Sequence, residues 1–270
     1  MRWKFILGLL TTCAVLMSMS YTMLIPFLPM YLIQDLGVVK ADVDMWSGAI
    51  FAITFLVSGI MAPIWGALAD KKSRKLMALR AGFCLAITYF LGGLVTNPWE
   101  LLGVRFIQGL SAGLWPALLA IISVESPKLK LGFCLGVMQG GMTAGGVLGP
   151  LFGGLLADQF GMRMAFFIAA AALFLITLAL LFFVKEEPRK PDPNAKPVKI
   201  WDFSLCKIPA VKRMLICAGV VQLTILMQQP IMPLYVAELQ GSMARIVLIS
   251  GIVFSCLLYT SDAADELDGV

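Results

Sequence analysis

The chain has 270 residues, 60% of them hydrophobic, no histidine, and a mean hydropathy of +0.90. That composition leaves too little polar surface for a soluble domain of this length and points to the membrane class. With no histidine, no Cys–His pair and no paired carboxylates in the apolar runs, an enzyme is the least expected class.

Seven apolar runs long enough to cross a bilayer follow one another at residues 5–33, 45–69, 76–95, 99–124, 131–157, 162–184 and 211–236. An eighth begins near Arg245 and fades by Leu258. Runs this long and continuous exclude barrel strands and predict an all-α integral membrane protein. Arg2 and Lys4 before an apolar stretch, with small Ser18 and Ser20 behind it, imitate a cleavable signal peptide. The apolar stretch nevertheless continues to residue 33, so it reads as a retained span. Cys13, Cys84, Cys134, Cys206, Cys217 and Cys256 lie mostly inside the runs at no metal-ligand spacing, and read as small hydrophobes. Neither a metal nor a cofactor is expected.

Charge sets the orientation. With the N-terminus in the cytoplasm, 17 basic residues fall on the inside, Arg80 counted among them, against three outside: Lys40, Arg163 and Arg245. The net charge of +5 therefore reports topology, and no nucleic-acid partner is expected. Residues 185–199, "KEEPRKPDPNAKPVK", carry four prolines and no apolar face, and read as a solvated linker. The expected domains are a six-helix bundle at 1–184, a cytoplasmic linker at 185–210, the start of a second bundle at 211–255 and a non-native tail at 256–270.

Internal repeats fit this plan. "PFLPMYL" at residues 26–32 returns as "PIMPLYV" 204 residues later, and "SGAIF" at 47–51 returns as "SGIVF" 203 residues later. Within the first half, "GALADKKSRK" (66–75) returns as "GLLADQFGMR" 88 residues on, the first inside and the second outside. That pair is related with inverted topology.

Four motifs carry a family resemblance. Gly66, Leu68, Ala69, Asp70, Arg74 and Lys75 form the loop motif after the second span; Arg105, Gln108, Gly109 and Gly113 form the "RFIQGLSAG" motif of the fourth. "GGVLGPLFGG" (145–154) forms the fifth-span motif, and Pro26 with Pro29 marks the first, repeated as Pro230 and Pro233 in the seventh. On these the chain resembles the major facilitator superfamily, and within it the twelve-helix drug:proton antiporters of bacteria. Residues 45–81 look particularly like multidrug exporters of the MdtG type. The resemblance implies the N-terminal six-helix bundle of that fold, followed by helix 7 and part of helix 8.

Each motif has a bland and a functional reading. The basic residues after span two anchor topology in any case, but Asp70 weakens that signal. Gly66 allows close helix approach, and Asp70 can accept from a helix N-terminus or pair with an arginine. The resemblance implies that Gly66, Asp70, Arg74 and Lys75 form a cytoplasmic latch between two bundles. Ser73 stands where the family has glycine, which puts the tight turn in question. Arg105 sits about six positions into its span, roughly 9 Å deep. It can snorkel outward or, with Gln108, Ala112 and Trp115 on one face, look into a cavity. The resemblance implies a cavity-facing arginine engaged in proton coupling, with Gln108 beside it. Gly132, Gly136 and Gly140, then Gly141, Gly145, Gly149 and Gly153, recur in steps of four and predict backbone-to-backbone packing. Pro150 interrupts the helical hydrogen bonds, and the resemblance makes Gly145, Gly149, Pro150, Gly153 and Gly154 an antiporter hinge. Met23, Trp115, Met138, Gln139, Met142 and Gln228 are candidate cavity residues, with lipid-facing or core positions as the alternative for each. No carboxylate lies near a span centre; Asp35 and Glu238 sit at outer ends and Glu125 at an inner end.

Halves of about 200 residues imply a parent of roughly 400. "CLLYTSDAAD" (256–265) resembles the translated end of a transposase adapter used in sequencing libraries, so the native sequence is expected to end near Ser255 and the fragment not to transport alone. The expected parent is a monomeric, multi-pass protein of the cytoplasmic (inner) membrane. It exports small amphipathic compounds against protons by alternating access, its partners being the small-molecule substrate, protons and the lipid bilayer. An uptake symporter for sugars or organic anions is the first alternative, and a non-transporting receptor or remnant half-transporter the second.

Overall fold

In hydrocarbon a peptide group finds no water, so each apolar run satisfies its backbone by coiling on itself. The computed structural model describes residues 2–71, 73–184 and 208–240, with positions 249, 252, 253 and 256 helical. Its α-helices are α1 (Arg2–Gln34), α2 (Val43–Lys71), α3 (Arg74–Leu94), α4 (Pro98–Leu110), α5 (Leu114–Glu125), α6 (Leu131–Phe160), α7 (Met162–Phe183) and α8 (Pro209–Gln240). Among the described residues six stretches are long and apolar enough to cross a membrane, and α4 with α5 together make the fourth. Residues 185–207 of the expected linker and the tail, apart from helical Cys256, lie outside the described residues, as does most of the expected eighth span.

Helix ends are written in local chemistry. Asn97 caps α4, its side chain accepting from the Glu100 amide at 2.9 Å, with Pro98 in the first turn and Glu100 reaching back to the Thr96 amide at 2.8 Å. Ser73 caps α3 in the same way, accepting from the Leu76 amide at 3.1 Å with φ −63°. That resolves the question raised by the missing glycine: the backbone at 73 is extended, no left-handed residue is required, and serine contributes a cap that glycine lacks. Between α6 and α7 the chain reverses at Gly161 alone, with φ +83°.

The first six spans pair off as α1 with α6, α2 with α4, and α3 with α7. Exchanging the first three spans for the second three turns the first pair into the second and leaves the third unchanged. The neighbour pattern thus has the symmetry of the inverted sequence repeat. Between apolar helices in lipid there is no water to expel, so close packing and interhelical hydrogen bonds hold the bundle. Gly82 faces Thr177, and Gly92 and Gly93 face Phe166 and Phe167, along the α3–α7 seam. Toward the C-terminal end of α1, Tyr31, Phe27 and Phe166 are buried together, and the Tyr31 hydroxyl donates to the Gly92 carbonyl at 3.0 Å. Toward the N-terminal end of α1, Ile6, Leu10, Leu118 and Leu180 form a second core.

Asp35, just past α1, pairs with Arg163 in the first turn of α7 at 3.2 Å. Both side chains are partly exposed, 26% and 40%. Asp35→Asn is therefore expected to change stability by no more than about 1 kcal/mol, read by thermal denaturation of the purified protein.

Candidate functional site

The fourth span is not continuous. α4 ends at Leu110, α5 begins at Leu114, and Gly113 between them has φ +114°. Pro116 explains why: in an unbroken helix its ring would collide with the Ala112 carbonyl and donate nothing to it, whereas the first turn of a new helix tolerates proline. Carbonyls freed at the break find side chains. Trp65 Nε1 donates to the Leu110 carbonyl at 2.8 Å, and Arg80 Nη2 donates to the Ala112 carbonyl at 2.9 Å. Arg80, counted from sequence only among the inside charges although it falls within the third apolar run, lies in α3 with its guanidinium carbon 3.3 Å from the centre of the Trp65 ring.

A cavity of about 240 Å³ opens beside this break. Its walls come from α1 (Met17, Tyr21), α2 (Thr54, Phe55), α3 (Tyr89), the broken span (Gln108, residues 111–113, Trp115) and Met142 of α6. They are mostly apolar and aromatic, and no acidic side chain lines them among the described residues. Behind Gln108 stands Arg105, only 5% exposed, donating from Nη1 to the Gln108 side-chain oxygen at 2.9 Å. Its Nη2 makes no hydrogen bond among the described residues, with Tyr21 and Tyr89 beside it. Tyr89 donates to the Ser20 carbonyl at 2.8 Å and so ties α3 to α1. Arg105 does not snorkel; it is turned inward.

The other expected site residues distribute as follows. Trp115 and Met142 line the cavity. Met23 and Met138 are instead buried in the two cores, Met23 against Gly153 on the α1–α6 seam. Gln139 is exposed and is not among the residues lining the cavity. Gly141, Gly145, Gly149 and Gly153 run along α1, against Thr11, Val15, Met19 and Met23, while Gly132, Gly136 and Gly140 have open space where a Cβ would stand. Pro150 and Gly154 are buried in α6, which continues helical through both. Pro29 is buried in α1, which is also unbroken at Pro26.

In the loop motif, a Cβ at Gly66 would meet nothing within 4 Å, so the expected close approach is not made among the described residues. Lys75 Nζ donates to the Leu181 carbonyl at 2.6 Å, a cation on the last turn of α7 where the helix dipole favours it. Arg74 opens α3 and is half-buried. The side chains of Asp70, Pro26, Gln228, Pro230 and Pro233 lie outside the described residues. Sequence reasoning missed Tyr21, Thr54, Tyr89, Trp65 and Arg80; the readable signal was a tyrosine or an arginine inside an otherwise apolar run.

Residues 10–261 match the Major Facilitator Superfamily. The chain belongs to this superfamily. Over 257 residues it is 38% identical to the Multidrug resistance protein MdtG of Citrobacter koseri, an alignment covering 94% of this chain and 63% of that protein. Against the protein of the same name from Yersinia enterocolitica it is 36% identical over 260 residues, covering 94% and 62%. The chain thus spans somewhat less than two thirds of these relatives. Among solved structures it resembles a bacterial homolog of the human lysosomal transporter Spinster, in an inward-facing and unoccupied conformation, with TM-score 0.61 and 23% identity over 76% of this chain and 48% of that one. It also resembles the POT family transporter PepTSo, with TM-score 0.60 and 13% identity over 97% of this chain and 53% of that one. These two likenesses establish the superfamily fold, in which α1, α2, α3, α4 with α5, α6 and α7 are the first six membrane helices.

Proposed function

We propose that this chain is the N-terminal bundle, the linker and the start of the second bundle of a proton-coupled exporter of small amphipathic compounds. It works in the cytoplasmic membrane as a monomer, with its N-terminus inside. The observation that carries this reading is Arg105, a buried cation behind a soft, aromatic cavity wall, with Nη2 lacking a hydrogen-bond partner among the described residues. A charge in that position is expensive and marks a pathway for ions or substrate. Tyr21, Phe55, Trp115 and the methionines Met17 and Met142 suit flat, amphipathic ligands of varied shape. The relatives' name, multidrug resistance protein, supports efflux over uptake. In this reading Arg105 and Gln108 answer to the proton, α6 moves along its glycine seam on α1, and Gly66, Asp70, Arg74 and Lys75 hold the cytoplasmic side against the second bundle.

The test is accumulation of ethidium in cells that lack their own exporters and express the natural gene product carrying this chain. Lower accumulation that a protonophore abolishes is expected. Accumulation raised above control, or efflux indifferent to the protonophore, would replace this reading with uptake or with another energy source.

A further inference from the structure

Span four changes neighbours where it breaks. α4 packs against α2, whereas α5 packs mainly against α3, with α1 and α6 behind it. Leu114, Trp115 and Pro116, the first turn of α5, are all cavity wall. Whatever fixes α5 therefore fixes one side of the cavity. Its covalent tie to α4 cannot, because at residues 111–113 no helical ladder runs through and Gly113 holds a left-handed backbone.

We propose that Arg80 is a positioning residue of the cavity. With its guanidinium carbon over the Trp65 ring and Nη2 donating to the Ala112 carbonyl, it takes over the restraint that the broken helix has lost, and so sets where α5 presents Leu114, Trp115 and Pro116. Trp65 has two tasks in this clasp: its ring seats the guanidinium at 3.3 Å and its Nε1 holds Leu110 at 2.8 Å. A planar cation is required, since a lysine can donate to one carbonyl but offers no flat face to the ring. Together α2, α3 and the broken span are joined at one point by Trp65, Arg80 and the two carbonyls. That the cavity receives substrate rests on the function proposed above; the placement of α5 does not, and is tested without transport.

The experiment is hydrogen–deuterium exchange on the full chain in lipid nanodiscs, read at the Ser111, Ala112 and Ala117 amides that are hydrogen-bonded around the break. Arg80→Gln is expected to speed their exchange by about tenfold or more, the loss of a charged hydrogen bond, with α6 amides unchanged. In a Gly113→Ala, Pro116→Ala background, where a continuous helix becomes possible, the same Arg80→Gln change is expected to have little effect. Unchanged exchange in Arg80→Gln, or an equal rise in both backgrounds, would overturn the proposal. If Arg80→Gln does not fold, Arg80→Lys and Trp65→Phe decide. Both are expected to speed exchange at these three amides, and wild-type exchange in both would overturn it.

Discussion

Gly149→Ala is expected to destabilise the bundle by about 1–3 kcal/mol, the usual range for an overpacked site. A Cβ there would lie 2.6 Å from the Met19 carbonyl oxygen, 3.1 Å from Met19 Cα, and in collision with the Thr22 hydroxyl. Two of those atoms belong to the α1 backbone and have no rotamer to move to. The helix itself must retreat, and it is held along the same seam at Gly145, against Val15 and Ser18, and at Gly153, against Met23. Gly140→Ala is the control. It lies outside that seam and a Cβ meets nothing within 4 Å, so the ordinary helical preference for alanine applies, about 0.5–1 kcal/mol in its favour. Thermal denaturation of the two purified variants reads the contrast. Equal losses would mean that the α1–α6 seam is not packed as described.

Arg105→Met is expected to separate stability from function. The guanidinium is buried, bonded at Nη1 to the neutral Gln108 side chain and, among the described residues, unpartnered at Nη2. Insertion scales place an arginine at a span centre about 2.5–3.5 kcal/mol above an apolar residue, and replacing a buried charge by a well-packed side chain of similar length often stabilises. The variant should therefore denature at a higher temperature than the wild type. Under the proposed function it should also abolish proton-coupled efflux by the natural gene product. A less stable Arg105→Met would assign Arg105 a structural task like that of Arg80, and intact efflux would remove it from coupling.

The spans themselves were legible because hydrocarbon enforces length and composition together: every run of some 20 apolar residues up to 184 is helical, with boundaries shifted by a few residues. The interruption of span four was not legible from hydropathy, since "LSAGLWP" is apolar enough to pass unnoticed in a 20-residue window. Glycine and proline are tolerated in membrane helices, and Pro150 in α6 leaves its helix unbroken. What distinguishes Pro116 is a left-handed glycine three residues earlier and two donors waiting on neighbouring helices, facts that belong to tertiary structure. The task of Arg80 was not legible for a related reason. Five residues past the loop motif it counts with the cytoplasmic charges, yet a long side chain on α3 reaches the break in span four. Steps of four identified both glycine series, but a period says that residues share a face and not what that face meets. The same limit explains Met23 and Met138, which share helices with cavity residues and turn to the core.

The central claim is that export is exchanged for protons through the cavity beside Arg105. Its most direct test uses everted vesicles bearing the natural gene product, acidified inside by respiration and followed with a pH-sensitive dye. The account predicts that adding ethidium releases part of the stored proton gradient in wild-type vesicles and none in Arg105→Met vesicles carrying equal amounts of folded protein. A gradient that stays intact while ethidium is taken up, or release that persists in Arg105→Met, would contradict it.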